Sequence, residues 1–472
     1  MPVSEQSMLR WCRTLIGADA VPHKSLNDYL QAIPRLKTLA DVPRGTAVLV
    51  RGDVDAKPGP KIGEGDERLR SMISTLKFGV EQGWKQIVFG HIGRKPEGSL
   101  SKVAARLGEL LGKKLPLISD WLDEKTMQIL PAAANAVSNC QPGEIIVLEN
   151  TRKYAIERAL WDATPDDLPA LAPKLATLAN EFAQKVSAIY VNEALSAGSL
   201  DSSSTIVPAA MNRVALGNYV AGEFDGPMQR CLRASLVIFS GLKIDKLDDL
   251  QAMIDRGTIR WVITAGSLAM ALKKAAAELE GKTFCMGVAE DPAHAGKPYF
   301  IPRQRVEQAR RMIEEGRKKG IQFVLPVDFV LQDGRASETI GPADQQFDIG
   351  PKTSEFFAQK IGEFIADSTH QAATGGRAAE TDSPVAFHNG VFGMFEDPRF
   401  EAGTKNFIGQ LKRMKDSGVE VYVGGGEGGA ALEKYGQPNW VTHCFTAGGT
   451  VLNALGSNPV PYLLALSMAA KR

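Results

Sequence analysis

Residues 419–436 read VEVYVGGGEGGAALEKYG. An apolar, β-branched run breaks at three glycines and hands over to a segment of helical character. Parallel strands need a helical crossover between them, so a joint of this kind marks a parallel sheet. Outward from it, the pattern recurs in TAVLVRGDVD, KQIVFGHIGR, GEIIVLENTR, VSAIYVNEA, ASLVIFSGLK, RWVITAGS, IQFVLPVDFV and PVAFHNGV. Between these runs lie helical segments such as SKVAARLGELLGKK and VEQARRMIEEGRKKG. Near-continuous Val/Ile-rich runs alternating with helices predict an α/β protein whose parallel sheets are covered on both faces. No internal repeat of fixed period is present.

A chain of 472 residues exceeds what one core serves, so two domains are expected. With 44% hydrophobic and 23% charged residues, the composition is that of a globular protein. The formal charge of +1 argues against nucleic-acid or membrane partners. Five scattered cysteines without CxxC spacing suggest neither zinc nor disulfides, which fits a reducing compartment. The N-terminus has no continuous apolar stretch, and no run reaches the roughly 18 residues of a membrane helix. A cytoplasmic monomer acting on small molecules is expected, with organelle targeting by the first 30 residues as the alternative.

In such sheets ligand groups gather at the carboxyl ends of strands. The tags of the first half carry Asp53, His91, Arg94 and Arg152. Those of the second half are richer in glycine and include Lys243, Asn389 and Glu427. One half suits a small anion and the other a nucleotide. In VGGGEGGAALEKYG, Gly424, Gly425 and Gly426 let backbone N–H groups approach a phosphate at a helix N-terminus, and Glu427 could hold Mg²⁺. A glycine turn with a solvated glutamate is the bland alternative. Lys243 would face a phosphate as a compact charge, or lie on the surface. His91 and Arg94 close one strand as a donor pair, whereas Arg68 and Arg152 gain meaning only by convergence on one cleft.

Residues 1–37 read as an appended surface segment, 38–217 as a first domain, 218–234 as a connecting helix and 235–452 as a second domain. Residues 370–384, HQAATGGRAAETDSP, read as a polar insertion.

Taken in order, these tags resemble the phosphoglycerate kinase family from about residue 38 almost to the C-terminus. LVRGDVD is similar to the family's LVRVDFN, LENTRKY to LENVRFY, and LPVDFVL to LPVDVVV. FDIGPKT matches DIGPKT, FHNGVFGMFE is similar to WNGPMGVFE, and GGGEGGAALEKYG to GGGDTAAALEKLG. The resemblance implies two Rossmann-like domains joined by a helix, with the tail 453–472 returning to the first. It also implies reversible phosphoryl transfer between ATP and the carboxylate of 3-phosphoglycerate, with Mg²⁺ on the nucleotide. Asp53, Asp55, Arg68, His91, Arg94 and Arg152 fall at phosphoglycerate positions. Lys243, Asn389, Glu396 and Glu427 fall at nucleotide positions, Glu396 on the ribose and Glu427 near the metal. Gly266 lies near the adenine position. Arg68 and Lys243 would stabilise the migrating phosphoryl group from opposite sides.

NEALSAGSLDSSST departs from the family's NDAFGTAHRAHAST. The His-Arg pair becomes Ser199 and Leu200, the next His becomes Ser202, and Asp201 brings a negative charge. One lost charge-assisted contact costs roughly 1.5–3 kcal/mol, about 10- to 150-fold in affinity. Asp55 replaces an Asn, Ser240 a Gly, Thr264-Ala265 two glycines, Val391-Phe392 a Pro-Met pair, and Glu427-Gly428 an Asp-Thr pair. Three readings stay open: a divergent phosphoglycerate kinase, a kinase for another small carboxylate, or a catalytically silent nucleotide-binding regulatory protein.

Overall fold

The computed structural model describes residues 2–19, 24–374, 383–456 and 459–471. They fall into two compact units, Met1–Asp225 with Asn458–Arg472, and Gly226–Ser457.

Unit 1 is built on β1 (Ala47–Gly52), β2 (Lys85–Phe89), β3 (Leu117–Ile118), β4 (Ile145–Leu148), β5 (Ile189–Glu193) and β6 (Arg213–Leu216). Their order is β3-β4-β2-β1-β5-β6, and every pairing is parallel. β1 is buried from Val48 onward, as a strand covered on both faces must be. Val48 and Val50 pack with Leu76, Trp84 and Leu107 on one side.

Unit 2 is built on β7 (Leu236–Phe239), β8 (Trp261–Thr264), β9 (Gln322–Val324), β10 (Val385–Asn389), β11 (Glu420–Val423) and β12 (His443–Cys444). The order is β9-β8-β7-β10-β11-β12, again all parallel. Its core includes Leu236, Ile238, Phe392, Phe407 and Val421. In both sheets the chain builds outward to one side and then returns to the other. That reversal opens a crevice beyond the strand ends, between β1 and β5 and between β7 and β10.

Three expectations change. The run IQFVLPVDFV is two strands: β9 ends at Val324, and Phe329–Leu331 belongs to a separate three-stranded antiparallel sheet. Pro326 sits in the break and has no N–H to give a ladder. Residues 218–234 form two short helices, Asn218–Asp225 and Pro227–Cys231, interrupted at Gly226, whose φ −114° and ψ −96° are not helical. Residues 1–37 are more than an appended surface segment. Helix Glu5–Leu15 buries Met8, Trp11, Cys12 and Leu15 and packs on helices Leu168–Glu181 and Pro461–Ala469. Asn180 holds the backbone of Val3 through both its amide atoms. Of the polar insertion, residues 375–382 lie outside the described residues; helix Pro351–Thr374 leads into it.

Candidate functional site

Unit 1 gathers its charged groups beyond the ends of β1, β2, β4 and β5. Arg51 comes from β1 itself, His91 follows β2, and Arg152 lies in the 3-10 turn Thr151–Lys153 after β4. Asp201 precedes the short helix Ser202–Thr205 and is fully buried. Its carboxylate receives Arg152 Nη2 at 3.2 and 3.4 Å and Trp161 Nε1 at 2.9 Å. Arg51 Nη2 lies 3.7 Å and His91 Nδ1 3.2 Å from the same carboxylate.

Arg51 Nη2 also lies 2.7 Å from His91 Nδ1. A guanidinium only donates, so Nδ1 accepts and the imidazole is neutral with its proton on Nε2. Burial pushes the His91 pKa down, in the same sense. Asp201 is held below the ordinary carboxylate value: burial opposes this, and Arg152 and Arg51 outweigh it. With His91 neutral, the two guanidiniums carry most of that effect.

Arg152 stacks 4.8 Å over the Trp161 ring and donates to Gly93 O at 2.6 Å, while its Nε has no partner among the described residues. Arg51 Nε donates to Ser203 Oγ at 2.9 Å, and Ser203 in turn donates to the buried Glu157. Burial, and then the charge of Asp201, push Glu157 up to about 7.

Beside this cluster, Arg68 Nη1 donates to Asp55 Oδ2 at 3.1 Å, and Arg68 Nε lies 3.9 Å from Asp53. Asp55 also accepts the Gly93 N–H at 2.9 Å. Burial would raise its pKa, but the Gly93 N–H and Arg68 hold it below the ordinary value. Asp53 accepts from Ser196 Oγ at 2.6 Å. Of the departed positions, Ser199 is exposed, Leu200 is half-buried and Ser202 is buried, donating to Ile156 O. Arg94 is exposed, without a hydrogen bond or ion pair among the described residues.

In unit 2 the crevice is edged by Ser240 after β7 and Asn389 ending β10, joined by Ser240 N–H to Asn389 O at 3.0 Å. Lys246, at the start of helix Lys246–Asp255, donates to Ser240 O at 2.8 Å and Asn389 Oδ1 at 3.0 Å. Burial lowers its pKa, with Glu427 opposing. Lys243 is exposed on the preceding loop. The glycine loops stack main chain on main chain. Gly266 has φ +63°, and a Cβ there would lie 2.6 Å from Gly241 O; one on Gly425 would lie 2.1 Å from Phe445 O. Gly424 donates its N–H to His388 O. Gly426 precedes helix Glu427–Tyr435, with Glu427 exposed in the first turn. Glu396 is exposed in the loop after β10. Arg51, Glu157, Trp161 and Lys246 were missed from the sequence. Only Arg51 carries a clear signal, a charge inside an apolar strand.

Two six-stranded parallel sheets with charged or glycine-rich strand ends define a two-unit α/β protein with an anion-type cleft in one unit and a glycine-lined crevice in the other. The phosphoglycerate kinase family model matches residues 39–458. The phosphoglycerate kinase of Bifidobacterium longum is 30% identical over 453 residues, covering 91% of this chain and 99% of that one. The cytosolic phosphoglycerate kinase of Triticum aestivum is 28% identical over 446 residues, covering 90% and 96%. Among solved structures, phosphoglycerate kinase from Pyrococcus horikoshii superposes with a TM-score of 0.67 at 22% identity, covering 93% of this chain and 100% of that one. That from Coxiella burnetii gives 0.62 at 22%, covering 92% and 99%. The chain belongs to the phosphoglycerate kinase family.

Proposed function

We propose that the chain is an ATP-dependent phosphotransferase with a carboxylate acceptor. It transfers phosphoryl reversibly between ATP and 3-phosphoglycerate, giving ADP and 1,3-bisphosphoglycerate. Family membership supplies the reaction class. The observation that carries the reading in this chain is the crevice of unit 2, where Lys246 spans Ser240 and Asn389 beside the glycine loops.

Phosphoryl transfer asks mainly for alignment and neutralisation of charge. Lys246, and Lys243 on the same loop, supply cations for the nucleotide phosphates. The N-terminus of helix Glu427–Tyr435 supplies N–H groups for them. Asn389 fixes the ammonium of Lys246, and the exposed Glu396 is available to the ribose. Mg²⁺ enters with the nucleotide. Glu427, exposed in the first turn of its helix, would offer Mg²⁺ one carboxylate, and the nucleotide phosphates would supply further oxygens. On the acceptor side, Arg68 is held in place by Asp55 and Asp53 and is the cation for the migrating group. Arg94 is open to the acceptor. A cytosolic monomer is part of this reading.

The test is a coupled assay of ADP formation from ATP with 3-phosphoglycerate, and of ATP formation from 1,3-bisphosphoglycerate. Turnover well above background is expected, and no turnover with 3-phosphoglycerate or any of a panel of small acids overturns the reading. A second acceptor, a carboxylic acid without phosphate, is favoured by the engagement of Arg152 with Asp201.

A further inference from the structure

The cluster around Asp201 is an anion site whose anion belongs to the chain. Arg152 and Trp161 donate directly to one carboxylate, and Arg51 and His91 stand within 3.7 and 3.2 Å of it. The carboxylate is wholly removed from solvent, and the side chains of Arg51, Arg152 and His91 are each at most 7% exposed. Such a convergence of guanidinium and indole N–H groups on one oxyanion, His91 orienting Arg51 by accepting from it, is the arrangement used to seize a phosphate or carboxylate from solution. Here, the loop after β5 delivers it instead.

We propose that Asp201 is a built-in oxyanion that fills the Arg51–His91–Arg152 pocket, so that a small carboxylate carrying no phosphate group there is a second acceptor of this protein beside 3-phosphoglycerate. The choice of acceptor rests on the phosphotransferase reading; the occupancy of the pocket does not.

Three further observations carry the argument. The pocket is compensated without help: two guanidiniums face Asp201, with Glu157 joined to Arg51 through Ser203. A phosphate dianion would have to enter beside a buried carboxylate of its own sign, or expel it. His91 spends its Nδ1 lone pair on Arg51, so on that side the ring accepts rather than donates. The loop that leads into Asp201 offers only Ser199 and Leu200, neither of which is cationic. What the cleft keeps for a ligand is the Arg68 pair with Asp55 and the exposed Arg94, enough for one carboxylate and short of a second anionic group.

The first test is binding of inorganic phosphate at low ionic strength, by calorimetry and by the shift in melting temperature, to the wild type, Asp201→Ala and Asp201→Asn. The wild type is expected to show only the weak binding of the unit 2 crevice, which Lys246→Met removes. Asp201→Ala is expected to bind at least about 10-fold more tightly, roughly the lower end of one charge-assisted contact, and to melt higher with phosphate. Equal phosphate affinity in the wild type and a folded variant overturns the proposal. Should removal of the carboxylate unfold the protein, recovery of the fold by phosphate supports it, and failure of phosphate to restore either variant overturns it. The second test compares glycerate with 3-phosphoglycerate as acceptor. The wild type should turn over both acids, and Asp201→Ala should move the kcat/KM ratio at least about 10-fold toward 3-phosphoglycerate. An unmoved ratio overturns the acceptor assignment. No turnover of any acid by the wild type refutes the phosphotransferase reading alone, because phosphate binding still decides what Asp201 does.

Discussion

Lys246 holds two oxygen partners at the crevice of unit 2, whereas Lys243, three residues earlier, is exposed. An ammonium already aimed by Ser240 O and Asn389 Oδ1 loses little freedom when a phosphate arrives, so it contributes more than a solvated one. Lys246→Met is expected to weaken ATP binding by about 10- to 150-fold, the worth of a charge-assisted contact of roughly 1.5–3 kcal/mol. Lys243→Met should weaken it by less than about threefold, calorimetry being the measurement. The opposite ranking would assign the nucleotide to Lys243. The sequence shows a lysine close to a strand end and so points to Lys243; which of two neighbouring lysines reaches the crevice depends on the first turn of the following helix. Asp201 shows the same limit. Its charge is plain in the sequence, but its pairing with Arg152, 49 residues away, is set by two loops whose meeting no local pattern encodes.

Strands were the most legible elements, because a strand covered on both faces must be written as a continuous apolar run. The exceptions have local causes. Pro326 splits one run, and the amphipathic spacing of Met8, Trp11, Cys12 and Leu15, which marks a buried helical face, belongs to a segment without a strand-end tag. The seat of helix Asn218–Asp225 was also hidden. Glu193, at the end of β5, accepts the N–H groups of Tyr219 at 3.0 Å and Val220 at 3.3 Å, so a distant strand supplies the cap. Gly217 is needed for that approach, because a Cβ there would lie 2.1 Å from Glu193 Oε2. Gly217→Ala is therefore expected to destabilise unit 1 by about 1–3 kcal/mol, the usual cost of overpacking a filled site. Urea titration should show a lower midpoint; an unchanged midpoint would mean that the carboxylate can step aside.

Each unit has its own sheet and core, and the pH dependence of unit 2 includes two buried groups of opposite sense. His388 sits between Phe392 and Phe407 with Nδ1 unpartnered among the described residues, and burial pushes its pKa from 6.5 to about 3. The unfolded chain takes up that proton below 6.5 and the native state refuses it, so this contribution is whole above 6.5 and is lost as pH falls. Asp348 behaves in reverse. Burial raises its pKa from 3.8 to about 7, against the N–H groups of Gly403 and Ile349. The native state keeps a proton that the unfolded chain gives up, so its contribution is whole below 3.8 and is lost as pH rises toward 7. Between those limits the two slopes oppose each other and partly cancel. His388→Leu removes one slope and leaves the other. From pH 6.5 to 5 the histidine accounts for about 2 kcal/mol, at roughly 1.4 kcal/mol per pH unit. Relative to wild type, the variant should gain about that much stability on acidification from pH 7 to 5, read by urea unfolding at both values with segment-resolved hydrogen exchange to follow unit 2. Parallel profiles for the two proteins would show that His388 takes its proton in the folded state.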